Sequence, residues 1–206
     1  DNKVFHPPPY QLDRSKVPAE RPLAVFFERG HCPACDYMHA ELMNRIDTKY
    51  IVAARRLPEI LEEVNNFYRI LEIDKQRKLE YRTTYYDTPD YEMYTAHQNG
   101  KLNRFKIRTR EYMVSKIHFL EVKFKNNKGR TLKERVKRID GDLEFHENET
   151  KFLAESAPFT VDDLIPKLWN HFIRITLVHK SAQERLTIDF DLSFKNDKDE
   201  EVEVPQ

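Results

Sequence analysis

Glycine is scarce in this sequence. Four glycines in 206 residues leave no Gly-rich phosphate loop, so any bound phosphate must be held by side chains and not by a backbone cradle. Cysteine is scarcer still. Cys32 and Cys35, three positions apart, make no disulfide framework, and a cytoplasmic setting is the default. No apolar run approaches the roughly 18–20 residues that span a bilayer. No membrane segment is therefore expected, and any link to a membrane would come through a membrane-bound partner. The first residues lack an initiator Met and the charged-then-apolar pattern of a signal peptide, which reads as a processed or incomplete product. Net charge is absent too: 35 Lys and Arg balance 35 Asp and Glu.

What is present is an uneven distribution of that charge. Residues 101–138 hold fourteen Lys and Arg and three acids, whereas residues 189–203 hold seven acids and two Lys. A strongly basic middle attracts anions whatever the global balance. The length suits one domain with an appendage. Pro7, Pro8, Pro9, Pro18 and Pro22 mark an extended leader, so the expected division is a leader over 1–43 and a domain over 44–206. Within the leader, residues 23–27 read as a short strand and 36–43 as helical. Residues 55–65 have the apolar spacing of a helix. Thr88 caps a short helix running to about His97, and Thr160 caps a second over 160–169. Residues 140–158 read as a loop. Asn99-Gly100 and residues 126–129 read as hairpin turns.

The remaining segments alternate. They are 45–52, 67–73, 79–87, 102–112, 117–125, 130–139, 172–180 and 185–194. Strand side chains point to opposite faces with period two. Arg104, Lys106, Arg108 and Arg110 therefore share one face, with Phe105 and Ile107 on the other. Glu121, Lys123 and Lys125 oppose Leu120, Val122 and Phe124, and Lys133, Arg135 and Lys137 share a face. A solvent face normally mixes signs, because like charges facing one another across strands destabilise a sheet. Cations repeated on neighbouring strands imply a polyanion as ligand, with Arg forks and Lys point charges as the phosphate-binding groups. The expected fold is α+β: an antiparallel β-barrel whose Lys/Arg-lined interior forms a tunnel, with a few flanking helices. Asp47, Glu121, Asp189 and Asp191 are oxygen donors suited to Mg²⁺ or Mn²⁺.

Several segments carry a resemblance. They are Arg45-Ile-Asp-Thr-Lys-Tyr50, Thr84-Tyr-Tyr-Asp-Thr-Pro-Asp90, residues 99–112, Phe119-Leu-Glu-Val-Lys-Phe-Lys125, Lys133-Glu-Arg135, Phe172-Ile-Arg174 and Arg185-Leu-Thr-Ile-Asp189. From about residue 44 onward the chain resembles the VTC domain, the polyphosphate polymerase branch of the triphosphate tunnel metalloenzymes in the CYTH-like superfamily. The resemblance implies metal-dependent transfer of the terminal phosphoryl of a nucleoside triphosphate to inorganic polyphosphate, with Mn²⁺ or Mg²⁺ as cofactor. By motif position it implies Lys49, Arg82, Arg108, Arg110, Tyr112, Lys123, Lys133, Arg174 and Arg185 as phosphate ligands, and Glu121 and Asp189 as metal candidates. The family pattern continues with a further strand carrying a metal-binding Glu and a later Lys. The sequence ends at Gln206 before both, so the barrel is expected to lack its closing strand. A non-catalytic phosphate-binding module and a triphosphate hydrolase are the alternatives.

Residues 21–41, with His31-Cys-Pro-Ala-Cys35, resemble a fragment of a thioredoxin-like domain. That implies Cys32 and Cys35 as a redox pair, and a redox protein is the outlying reading. The eight histidines show no metal spacing. The tyrosines of 81–94 fall at packing positions, so no nucleic-acid partner is expected.

Overall fold

The computed structural model describes residues 22–31, 43–139, 141 and 143–203. In chain order the elements are β1 (Pro22–His31), β2 (Met43–Ala53), α1 (Leu57–Val64), β3 (Tyr68–Ile70), β4 (Leu79–Asp87), α2 (Glu92–Gln98), β5 (Arg104–Tyr112), β6 (Ile117–Lys125), β7 (Thr131–Arg138), α3 (Glu147–Ser156), β8 (Ile165–His179), β9 (Glu184–Asn196) and β10 (Glu201–Glu203). The class is α+β, and every register resolved between named strands is antiparallel. The described residues fall into two compact units. One comprises those of 81–171 and 193–203, the other those of 17–80 and 172–192. β8 and β9 lend a segment to each.

In the first unit β4, β5, β6 and β7 form a meander. The β6–β7 turn is built by Asn126, whose side-chain oxygen accepts from the Lys128 and Arg130 amides, each at 3.0 Å. Gly129 takes a φ of +76° there, a conformation open to glycine at no steric penalty. One face of the meander carries Tyr86, Ile107, Leu120 and Val122. Met93 of α2 and Leu153 of α3 pack onto it, with Leu164. In the second unit β1 lies between β2 and β9, so the strand expected inside the leader is part of the sheet. Ile175, Leu177, Leu186, Ile188 and Tyr68 form its core, with α1 packed against it through Leu57, Ile60, Leu61 and Val64.

Four local expectations are corrected. Residues 160–169 are not a helix. Thr160 and Asp163 do form a capping pair, the carboxylate accepting from the Thr160 amide at 2.7 Å, but only one 3-10 turn follows before β8 begins. Pro166 lacks an N–H and disfavours helical backbone at Ile165, which turns the chain extended. Residues 140–158 are not all loop, because α3 occupies Glu147–Ser156. Its inward face holds Glu149, fully buried and 2.9 Å from Arg138, so an apolar-spacing search passes it by. Asn99-Gly100 ends α2 and is no hairpin: Gly100, at φ +64°, and Lys101 donate back to the carbonyls of His97 and Ala96. Finally, the short strand β10 joins β9 where none was expected.

The start of α2 is held more firmly than Thr88 alone implies. Thr88 Oγ1 accepts from the Glu92 amide. Buried Asp87 takes the amides of Thr88, Met93 and Tyr94, which satisfies donors that a helix start leaves over.

Candidate functional site

The face of the meander opposite its core carries the cations, and the register aligns them. Lys106, Lys123 and Lys133 stand directly opposite one another on β5, β6 and β7. The next row is Arg108, Glu121 and Arg135, with Tyr85 of β4 beside Arg108. The row after that is Thr83, Arg110, Phe119 and Lys137. On the other side of the lysine row, two residues along each strand, lie Arg104 and Lys125. Rows of like charge at directly opposite positions destabilise a sheet that has no anion to neutralise them.

Glu121 is the single carboxylate in these rows, and it is fully buried. Arg108 Nε and Nη2 approach its Oε2 at 2.8 and 2.7 Å, and Lys133 Nζ lies 2.8 Å from Oε1. Burial alone would raise the Glu121 pKa. Arg108, Lys133 and Arg110 override it and hold the carboxyl at about 2. The third arm of Arg108, Nη1, donates to the Tyr85 hydroxyl at 3.0 Å. Burial pulls the Arg108 pKa down, but the Tyr85 and Glu121 oxygens outweigh it, so this guanidinium is held charged above its usual range. Burial would raise the Tyr85 phenol, yet Arg108 and Arg110 bring it down to about 8. Arg110 donates from Nε to Thr83 Oγ1 at 3.2 Å.

Lys123 has the most perturbed amine. Burial, with repulsion from Arg108, Arg110 and Lys133 and against attraction by Glu121, lowers it to about 6. Lys133 is lowered as well, first by burial and then by Arg108 and Arg135, with Glu121 opposing. Two adjacent lysines whose charged forms are disfavoured make a site short of negative charge. An anion entering it relieves repulsion already stored in the sheet.

Of the residues singled out in the sequence, this face gathers Arg108, Arg110, Glu121, Lys123 and Lys133, with Tyr112 at its end. Arg82 is not among them. It is exposed and opposite Glu111, and the pleat turns it to the other side from Tyr81, Thr83 and Tyr85. In the second unit Arg174 grips Asp189 with two bonds of 2.6 Å and lies 5.1 Å from the Phe172 ring centroid. Lys49 is exposed on β2 and Arg185 half-buried on β9. Cys32 and Cys35 lie outside the described residues, as does the helix expected over 36–43 apart from Met43, which begins β2. Lys106 and Tyr85 are members of the cationic face that motif matching missed. Lys106 was visible in the alternation, but the contact between Tyr85 and Arg108 depends on β4–β5 register.

The residues do not fit the expected metal site. Both Glu121 oxygens are taken by cations and Asp189 is taken by Arg174. No three His, Cys, Asp or Glu side chains gather to hold a metal among the described residues.

A face of this composition is what a polyanion-handling family requires, and the comparison of the whole chain with family profiles decides which. The VTC domain profile matches residues 44–204. The chain belongs to the VTC domain family. No curated protein matches it. Among solved structures, a candidate adenylate cyclase from Bacillus halodurans is 15% identical, with 68% of this VTC domain chain and 75% of that chain covered and a TM-score of 0.35. A candidate adenylyl cyclase from Hippeastrum, described as having a dominant triphosphatase activity, is 8% identical over 82% of this chain and 78% of its own, with a TM-score of 0.36. A Pyrococcus horikoshii protein is 12% identical over 81% and 77%, with a TM-score of 0.32. Similarities this loose add nothing to the family assignment, which rests on the VTC profile. No described helix of this VTC domain is long and apolar enough to cross a membrane.

Proposed function

We propose that this VTC domain is a polyphosphate polymerase-type phosphotransferase acting on a nucleoside triphosphate and inorganic polyphosphate. The observation that carries the reading is the run of opposed cations over β5, β6 and β7, in whose rows Glu121 is the one carboxylate. In the reaction, a terminal oxygen of the polyphosphate chain forms a bond to the γ-phosphorus. The bond between that phosphorus and the β,γ-bridging oxygen breaks, and the nucleoside diphosphate leaves with the bonding pair. Phosphoryl transfer of this kind needs positioning and charge stabilisation more than covalent help from the protein. Arg108 is preset for that work, since Glu121 and Tyr85 fix its plane before a ligand arrives. Lys123 and Lys133 supply charge that the phosphates themselves stabilise.

A second reading is favoured by the engagement of Glu121 and Asp189: the face binds triphosphate or polyphosphate without turning it over. Incubation with ATP and Mn²⁺ separates the readings. Long phosphate chains support the transferase, released phosphate supports a hydrolase, and binding with neither product supports the module. Arg108→Glu and Arg110→Glu are expected to abolish binding of inorganic tripolyphosphate in calorimetry. Wild-type affinity in both removes the face from the function altogether.

A further inference from the structure

The cationic face changes character at one end. Tyr112 lies two residues beyond Arg110 on β5, directly opposite Tyr81 of β4. The Tyr81 and Tyr112 rings meet edge to face with centroids 5.1 Å apart, and Tyr112 meets Phe119 edge to face at 5.8 Å. Tyr112 and Phe119 are only half-buried, although they sit among charged groups and away from the packed core on the opposite face. Two guanidinium groups already lie against these rings: Arg135 is 4.6 Å from the Phe119 centroid and Arg110 is 5.8 Å from that of Tyr81. The rings thus accept flat cationic groups on their π-faces. At the other end the rows finish in Arg104 and Lys125, with no ring on that face of either strand. The surface is therefore polar along its length, aromatic at one end and cationic over the rest.

Length fits this polarity to a ligand. At about 3.3–3.4 Å per residue, Tyr112 stands roughly 7 Å from Arg110 and roughly 13 Å from Arg108 along β5. That is the order of separation between the base and the phosphates of an extended nucleoside triphosphate. We propose that Tyr112 and Phe119 form the base-stacking end of a nucleoside triphosphate site, with the phosphates running along β5 past Arg110 to Arg108, Lys123 and Lys133. The inference rests on the reading of the cationic face as a triphosphate site, and it adds what selects a nucleotide over a bare phosphate chain. A base enters by stacking on Phe119 in place of, or sandwiched with, the Arg135 guanidinium. Stacking tolerates any base, so the purine triphosphates are expected to bind alike.

The test compares ligands that share phosphates and differ in the base. Calorimetry of the whole chain is run with inorganic tripolyphosphate, ATP and GTP. ATP and GTP are expected to bind about tenfold more tightly than tripolyphosphate, although tripolyphosphate carries up to one more negative charge, in line with what one stacked base contributes. Etheno-ATP fluorescence is expected to be quenched on binding. Phe119→Leu should remove the quenching and bring ATP and GTP down to the affinity the same variant shows for tripolyphosphate. Unquenched etheno-ATP together with equal wild-type affinities for ATP and tripolyphosphate overturns the base site, and that result stands even if the variant misfolds. Failure of wild-type protein to bind tripolyphosphate at all overturns instead the phosphate reading beneath it.

Discussion

Replacing Glu121 by Gln tests whether the buried carboxylate is a counter-ion for the cationic face. The substitution keeps shape and one acceptor oxygen but removes the charge that Arg108 and Lys133 share. The two halves differ in weight. The Lys133 side chain is 40% exposed, so its half is screened and contributes at most about 1 kcal/mol. Arg108 is 8% exposed and its partner not at all, and breaking such a buried pair costs about 3–5 kcal/mol. Because the Gln carbonyl still accepts from Arg108, the low end, about 3 kcal/mol, is expected. For a chain of this size that corresponds to a Tm lowered by about 6–12 °C. Tripolyphosphate should restore more of the Tm in the variant than it adds to the wild type, since it supplies the missing negative charge. The pH dependence has a definite sign. The Glu121 carboxyl is held at about 2, below its ordinary 4.5. Its contribution is therefore complete above pH 4.5 and lost as pH falls towards 2. The Tm gap between wild type and variant should close over that window. A variant that melts with the wild type at pH 7 refutes the counter-ion role. So does a wild-type Tm raised by Mn²⁺ alone and unmoved by it in the variant, which would make Glu121 a metal ligand.

Other predictions follow from the same geometry. With Lys123 lowered to about 6, its amine is mostly neutral at pH 8 in the free protein, and a bound polyanion favours its charged form. The affinity advantage of wild type over Lys123→Gln for tripolyphosphate should be largest near pH 6 and shrink as pH rises. Calorimetry across pH 6–9 reads that difference, and a flat one removes Lys123 from the site. Glu149→Gln breaks the buried pair with Arg138 that fastens α3. It should lower stability by about 3–5 kcal/mol in urea unfolding and leave tripolyphosphate affinity unchanged, because Glu149 lies on the core side of the meander. Asp87→Ala removes the acceptor of the Thr88 amide and of two amides, Met93 and Tyr94, in the first turn of α2. A loss of about 2 kcal/mol is expected, with faster hydrogen exchange at Met93 and Tyr94 as the local signature.

The sequence by itself determined the alternation. Period-two patterning over residues 79–87 and 117–125 reproduced the bounds of β4 and β6, and it placed Arg108, Arg110, Lys123 and Lys133 on one side of their strands. Patterning works there because one face is packed and the other charged, so each residue's neighbours in sequence report its side. Tertiary structure alone decided the register, and with it which cation faces which. Cross-strand pairing is fixed by turns and by contacts distant in sequence. The Arg108–Tyr85 bond and the row Lys106–Lys123–Lys133 therefore have no local signature. The same limit hid α3, whose anchor is an ion pair to β7 and not an apolar stripe. It also misassigned residues 160–169, where a capping pair promised a helix that Pro166 prevents. Glu121 changed role for this reason as well. Its residue type suited a metal, but Arg108 directly opposite on β5 and Lys133 from the neighbouring row on β7 leave both oxygens engaged.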